Sequence, residues 1–554
     1  MPAPDILDTQ VNFQPMEPYI FKLPEEVLIK TFEAVKGDLT EPPLKITSRD
    51  PVDNLNIQQV RLTCRRFCNT SSHLLLPYLD IDMSSPSLAH LNEISRHPTI
   101  SKGVRTLRVH VGFYSAALAD DFVAFTEVCF ANLMGIFCRG KPETTPKWAT
   151  YVPGDTKRRL FAEGDRILDL WAKSKFKPPE DPQSEETKLD VATLREAHEL
   201  YQQLFKDQES VLRGNTFLQA IEAAARRMPS MDSLSITDLD RMPWPRRDWS
   251  RKTLGEDPDQ VNGHTILVES VTVRKTSWAD HEWLGAPPLS TFYRLPLAIR
   301  AAGTSLVQLR ILMSSLSELQ SSLDDDYFSG LRAAVTDLRV FEIERSQGSG
   351  TRLSDKEPLK QRPEYFHRYV STVVEARNLQ RAKLDLNHVR MVDGPDLYWS
   401  DVDDVDEDLP VEYDSGEYEF GMEERKSAIA LLASRTWPCL RSLAISRCVM
   451  SLEQLRGLCN VPEINLTLQD VYMRSGTWAE VLEIIRSSSN THFALQRLDG
   501  REFVRCTKLQ PCHFRPESAS LSGVEVDELP ARKLEAAEAC FWCAKWSNLW
   551  WRVR

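Results

Sequence analysis

The chain has 554 residues, 42% of them apolar and 27% charged, with a formal net charge of -12. That length suits two or more domains or one elongated array, and the composition supplies material for a large core. The acidic balance speaks against a general phosphate-backbone binder, so no nucleic-acid partner is expected. No run of about 18 apolar residues occurs, so no membrane span is expected either.

Residues 1–18 read as a flexible tail, acidic and proline-bearing, without the basic and apolar regions of a secretory signal. The 11 cysteines are an odd number scattered along the chain. That pattern points to reduced thiols and a cytoplasmic and/or nuclear location.

The first periodic stretch is Leu23-Pro-Glu-Glu-Val-Leu-Ile-Lys-Thr-Phe32. Proline is tolerated in a first helical turn, and Glu25 and Glu26 stand where the helix dipole favours negative charge. Val27, Leu28, Thr31, Phe32 and Val35 share one wide helical stripe. A second amphipathic run carries Ile57, Val60, Leu62, Cys64 and Phe67, with Arg61, Arg65 and Arg66 between them; Leu74, Leu75, Leu76 and Leu79 supply a third. Periodicity alone leaves two readings open, a small helical domain over 19–83 or the helical start of a larger fold.

Leu23-Pro24-x-Glu26-Val27-Leu28-x-x-x-Phe32 resembles the first helix of an F-box, and Val60-Arg-Leu62-Thr-Cys64-Arg-Arg-Phe67 resembles its second. Thr31 stands where that family favours isoleucine and Phe67 where it favours tryptophan. The connection Gly37–Asn54 is longer than usual. The resemblance implies that Leu23, Pro24, Val27, Leu28, Phe32, Leu62 and Phe67 dock onto a Skp adaptor, or support the surface that does. Through the adaptor the chain would reach a cullin.

Beyond the F-box-like region, Val104/Leu107/Val109 starts a pattern of an aliphatic residue, another three later and another two after that, as a half-buried strand would show. The spacing recurs at Met231/Leu234/Ile236, Val268/Val271/Val273, Leu306/Leu309/Ile311, Val335/Leu338/Val340, Leu379/Ala382/Leu384, Leu440/Leu443/Ile445 and Val461/Ile464/Leu466. Helical patterns such as Ser451–Leu458 and Trp478–Ile485 lie between. Strand–helix alternation of this kind stacks into a curved array with strands lining its concave side. Leu440–Leu458 and Leu466–Leu482 resemble the degenerate leucine-rich repeats that follow F-boxes in many fungal proteins. A generic α/β domain with a parallel sheet is the alternative.

The expected organisation over 84–503 is therefore an irregular leucine-rich-repeat-like α/β solenoid with two interruptions. A helical insertion covers about 140–228, with helix-period residues in Lys157–Lys175, Leu189–Arg213 and Thr216–Met228. An acidic loop covers about 400–425, where Ser400–Glu424 holds twelve Asp and Glu and too few apolar groups to offset its ordering entropy. Residues 504–554 form a Trp-rich capping segment with Phe541, Trp542, Trp546, Trp550 and Trp551.

Cys540-Phe-Trp-Cys543, with Cys506, Cys512 and His513, has the residue types of a zinc site. Adjacent Cys512 and His513 diverge, however, and the second close pair of a structural site is missing, so no metal is expected. No Gly-rich phosphate loop, HExxH or GxSxG occurs, and His281 and His388 stand alone. No catalytic constellation and no cofactor are expected.

The expectation is an α/β protein with a small N-terminal three-helix F-box followed by the repeat-like domain. It would be a non-catalytic, substrate-recognition subunit of a Skp–cullin–F-box ubiquitin ligase, holding an unknown protein substrate on its repeat surface. The alternative is a repeat scaffold not engaged in ubiquitination.

Overall fold

The computed structural model describes residues 19–36, 55–137, 185–238, 275–278, 285, 287–314, 323–345, 364–386, 428–435, 437–461, 464–473, 478–487 and 492–500. The chain divides into two compact units, Met1–Arg501 and Glu502–Arg554, and the second lies wholly outside the described residues.

Among the described residues, nine strands form one sheet in strict sequence order: β1 Tyr78–Asp82, β2 Thr106–His110, β3 Ser233–Thr237, β4 Gln308–Met313, β5 Val340–Arg345, β6 Arg381–Asp385, β7 Ser442–Met450, β8 Asn465–Met473 and β9 His492–Gly500. Every pairing is parallel. Parallel neighbours need a crossover, and helices supply it. Three helices, α1 Glu25–Lys36, α2 Leu55–Thr63 and α3 Arg65–Ser71, precede the sheet. The crossovers hold α4 Ser85–Arg96, α5 Ala116–Asp120, α6 Phe122–Phe137, α7 Glu185–Leu212, α8 Thr216–Ala225, α9 Leu289–Ala301 and α10 Asp325–Ala334. After them come α11 Glu364–Val374, α12 Ala428–Ser434, α13 Leu452–Cys459 and α14 Trp478–Ser487. α4 packs on α8, and from α8 on to α14 each helix packs on the next, so a helix layer runs beside the sheet in the same order.

The aliphatic spacing sets the register. Leu79, Leu107, Leu234, Leu309, Phe341, Ala382, Leu443 and Leu466 are aligned across the strands, all buried. Two residues on, Ile81, Val109, Ile236, Ile311, Ile343, Leu384, Ile445 and Leu468 form a second buried row. The period of two puts both rows on one face.

The structure moves several sequence-based expectations. β5 uses Leu338/Phe341/Ile343 rather than Val335/Leu338/Val340, because Phe341 is the residue aligned with Leu309. β8 aligns Leu466 with Leu443, not with Ile445, so its pair is Leu466/Leu468. Leu79 belongs to β1 and not to a third helix, so the sheet starts inside the span 19–83. β9, α6 and α9 were not expected, and α9 keeps Pro296 within its helix. Helices over 185–212 and 216–225 fall where the insertion was expected. Lys157–Lys175, Val268/Val271/Val273, His281, His388, the acidic stretch 400–425 and the cysteine and tryptophan residues of 504–554 lie outside the described residues.

Helix starts follow their caps. Ser84 accepts from Ser87 N before α4, Asp324 accepts from Tyr327 N at 2.8 Å before α10, and Ser451 with Gln454 completes a reciprocal capping box before α13. Gly457 lets α13 approach α12 closely: a Cβ there would lie 2.3 Å from Ala433 O.

Candidate partner-docking surface

The helices α1, α2 and α3 close around a small core of Leu28, Phe32, Ile57, Phe67 and Leu74, with Phe21, Leu23, Val60 and Cys64 partly buried against it. Phe67 is its centre, meeting Phe32 edge-on at a 5.1 Å centroid distance and Phe21 at 5.4 Å. Cys64 caps α3, its Sγ accepting from Phe67 N at 3.4 Å.

The seven residues singled out from sequence divide into two sets. Leu28, Phe32 and Phe67 are core, and Leu23 is half-buried. Pro24 is exposed, Val27 is 43% exposed and Leu62 is 80% exposed. Val35, on the same predicted stripe, is also exposed. Pro24, Val27 and Thr31 follow one another at i, i+3 and i+7 along the flank of α1 beside its buried face. The Thr31 hydroxyl donates to Val27 O at 2.7 Å, so its polar atom is spent on the helix itself. Thr31 therefore leaves no unsatisfied hydroxyl donor on this flank. An isolated exposed aliphatic residue is ordinary; this small unit carries several, Val27, Val35 and Leu62 among them.

The unit is set firmly against the sheet. At Gly103 a Cβ would lie 1.5 Å from His73 O, a separation only glycine permits. Arg105 N and Thr106 N both donate to Pro77 O, at 2.9 and 3.0 Å. Lys36 lies at this junction; burial first and then the neighbouring Arg105 lower its pKa to about 8, against the pull of Glu33. Burial likewise lowers that of His73.

The face of the sheet opposite the aliphatic rows carries charge. Arg310 and Glu342 pair at 2.9 Å with side chains 5% and 3% exposed. Asp80 lies 3.4 Å from both Arg108 and His110, Asp82 pairs with Lys275 at 2.7 Å, and Lys383 with Glu344 at 2.7 Å. Arg447 Nε donates to Asp385 at 2.9 Å, from a residue held at a φ of 53°. Burial raises the Glu342 pKa, with Arg310 opposing and Glu344 adding to the rise. Burial also pulls Asp82 upward, but Lys275, Ser84 and His110 outweigh it and hold the group at about 2. These charges neutralise one another, which is what buried charges require.

At the end of β3, Asp238 is fully buried and accepts from Trp278 N and Ser314 N, each at 2.8 Å, and from the Ser314 hydroxyl. Burial raises its pKa to about 6 in spite of these donors. Trp278 Nε1 donates to Val111 O at 2.9 Å, and Phe113 bridges antiparallel to Thr276. Residues 275–278 thus lie across the ends of β1, β2 and β3. Sequence patterning missed this arrangement and the charged pairs, since neither has a periodic signature; alternate Arg and Glu in a strand look solvent-facing.

Among the described residues the sheet order has no reversal, the feature at which open α/β sheets form a ligand-binding crevice. Among the described residues no group of three or more His, Cys, Asp and Glu could hold a metal, and no helix is long and apolar enough to cross a membrane. The chain matches no protein-family model and no curated protein.

Proposed function

We propose that this chain is a substrate-recognition adaptor of a Skp–cullin–F-box ubiquitin ligase. In this reading α1–α3 are an F-box and the parallel sheet with its helix layer is a degenerate leucine-rich-repeat array. The observation that carries it is the split among the motif residues: Leu28, Phe32 and Phe67 build a core while Pro24, Val27 and Leu62 stay exposed beside it. Interfaces draw most of their energy from a few large apolar side chains buried on association. Such a subunit does no chemistry; it raises the effective concentration of its substrate at the conjugating enzyme.

The test is binding of the native chain and of Val27→Asp with Leu62→Asp to a purified Skp adaptor. Both residues are exposed, so the variant keeps its fold. Loss of about 100-fold or more in affinity supports the reading, from about 1–2 kcal/mol or more at each site. Equal binding by the variant removes it. Adaptor binding with no cullin in the captured complex favours the repeat scaffold outside ubiquitination.

A further inference from the structure

The N-terminal unit exposes apolar surface that its motif does not cover. Tyr19 is 79% and Ile20 38% exposed, and both lie in a short 3-10 turn, Tyr19–Lys22, that buries none of its own residues. A turn of four residues does not hold its own position. Here it is held from α3, 43 to 45 residues away in sequence. The two terminal nitrogens of Arg66 donate separately to the carbonyls of Phe21 and Leu23. The ring of Phe21 meanwhile lies on Phe67. A planar guanidinium offers two donors in a fixed fork, which fixes direction as well as position.

The charge on α2 and α3 is one-sided. From Leu55 to Leu79 the chain has no Asp or Glu, although it carries Arg61, Arg65 and Arg66 and the protein as a whole has a net charge of -12. Lys22 adds a cation on the arm, and Lys22 and Arg65 are exposed. The glutamates of the unit, Glu25, Glu26 and Glu33, are all on α1. Lys22 Nζ lies over the Tyr19 ring at 5.6 Å, and an apolar face with cations beside it fits a partner face with an apolar centre and an acidic rim.

We infer that Arg66 is a positioning residue that locks the arm Tyr19–Leu23 onto α3, so that Tyr19 and Ile20 extend the adaptor-docking surface toward an acidic-rimmed part of the adaptor. This rests on the adaptor reading above. Arg66 does not itself need to touch the partner: its fork is turned inward to the arm. Lys22 and Arg65 supply the outward charge.

The experiment is calorimetric titration of the full chain with purified Skp adaptor, for the native protein, Arg66→Gln, Arg66→Lys, Tyr19→Ala with Ile20→Ala, and the combination of Arg66→Gln with both alanines. Arg66→Gln should weaken binding about tenfold, and Arg66→Lys nearly as much, since lysine keeps the charge but not the fork. The double-alanine arm should lose a similar factor. The combined variant should bind no more weakly than the arm variant alone, because Arg66 acts through the arm. Amide exchange at Leu23, whose N–H bonds to Ile20 O at 3.4 Å, should accelerate in Arg66→Gln while the helix amides hold. Lys22→Glu with Arg65→Glu should weaken binding and flatten its dependence on salt. Native-like affinity of Arg66→Gln, or a full additional loss when it is joined to the arm variant, overturns this inference and leaves the docking reading intact. Absence of binding by the native chain overturns both.

Discussion

Arg310 on β4 and Glu342 on β5 face each other at 2.9 Å with almost no solvent access, on the side of the sheet away from its aliphatic rows. Removing one partner takes the nearest counter-charge from the other inside the protein. Glu342→Gln or Arg310→Met alone should cost about 3–5 kcal/mol, whereas Arg310→Met together with Glu342→Leu should be close to neutral. Urea denaturation of the three variants gives the values, and a small effect of either single change would show that water reaches the pair.

The N-terminal unit predicts opposite outcomes for residues that share one sequence motif. Leu28→Ala should lower stability by about 2–5 kcal/mol, since Leu28 is fully enclosed. Leu62→Ala should change it by no more than about 0.5 kcal/mol, as an exposed site that neither caps a helix itself nor enters the core does. Thermal unfolding followed by circular dichroism separates the two, and equal losses would place Leu62 in the core.

Gly103 predicts a steric effect. Gly103→Ala places a methyl group against the His73 carbonyl and should destabilise by about 1–3 kcal/mol or more, since backbone must shift to admit it. The loss should appear first in amide exchange of α1–α3, which rest on that contact, and protection elsewhere in the sheet should persist. Uniform loss of protection would show instead that helices and sheet unfold as one.

Two buried aspartates give opposite slopes with pH. Asp82, held at about 2, binds fewer protons folded than unfolded, so its contribution is present above the ordinary carboxylate range and is lost as pH falls from about 4 toward 2. Asp238, raised to about 6, keeps its proton longer when folded, so its contribution falls as pH rises from about 4 to 6. Denaturation midpoints of Asp82→Asn and Asp238→Asn between pH 3 and 7 should therefore differ from the native curve in opposite senses. Parallel curves would mean that neither carboxylate is shifted.

Much of the sheet was legible in sequence because its two buried rows repeat an aliphatic spacing, and the register follows from burying both on one face. The slips have a common cause. Val335 and Val461 are buried as a strand residue would be, at 1% and 5% exposure, yet they lie in the connections leading into β5 and β8. Aliphatic residues that close a helix end against the sheet imitate the spacing of the strand that follows. β1 hid behind Leu74–Leu76, of which Leu74 is buried in the helical unit, while Leu79 belongs to the sheet. In the N-terminal helical unit, the stripe on α1 was visible, but its division was not. Leu28 and Val27 differ only in which flank meets Phe67 and Ile57, and those partners come from helices that no local pattern connects. Arg66 was invisible as a positioning group for the same reason: its acceptors are backbone carbonyls, which every residue has.

The sequential order of the strands bears on how this chain can change in length. Each strand is bonded only to those before and after it in the chain, so the stretches 138–184, 239–274, 346–363 and 387–427 all fall within single crossovers. Doubling the length of a flexible segment between two strands costs only about 0.6 kcal/mol in closure entropy. Residues can accumulate or disappear there while Leu384 stays opposite Ile445 and every other rung keeps its partner. The framework tolerates edits between its rungs, and variation in length is then free to follow selection on the connecting segments alone.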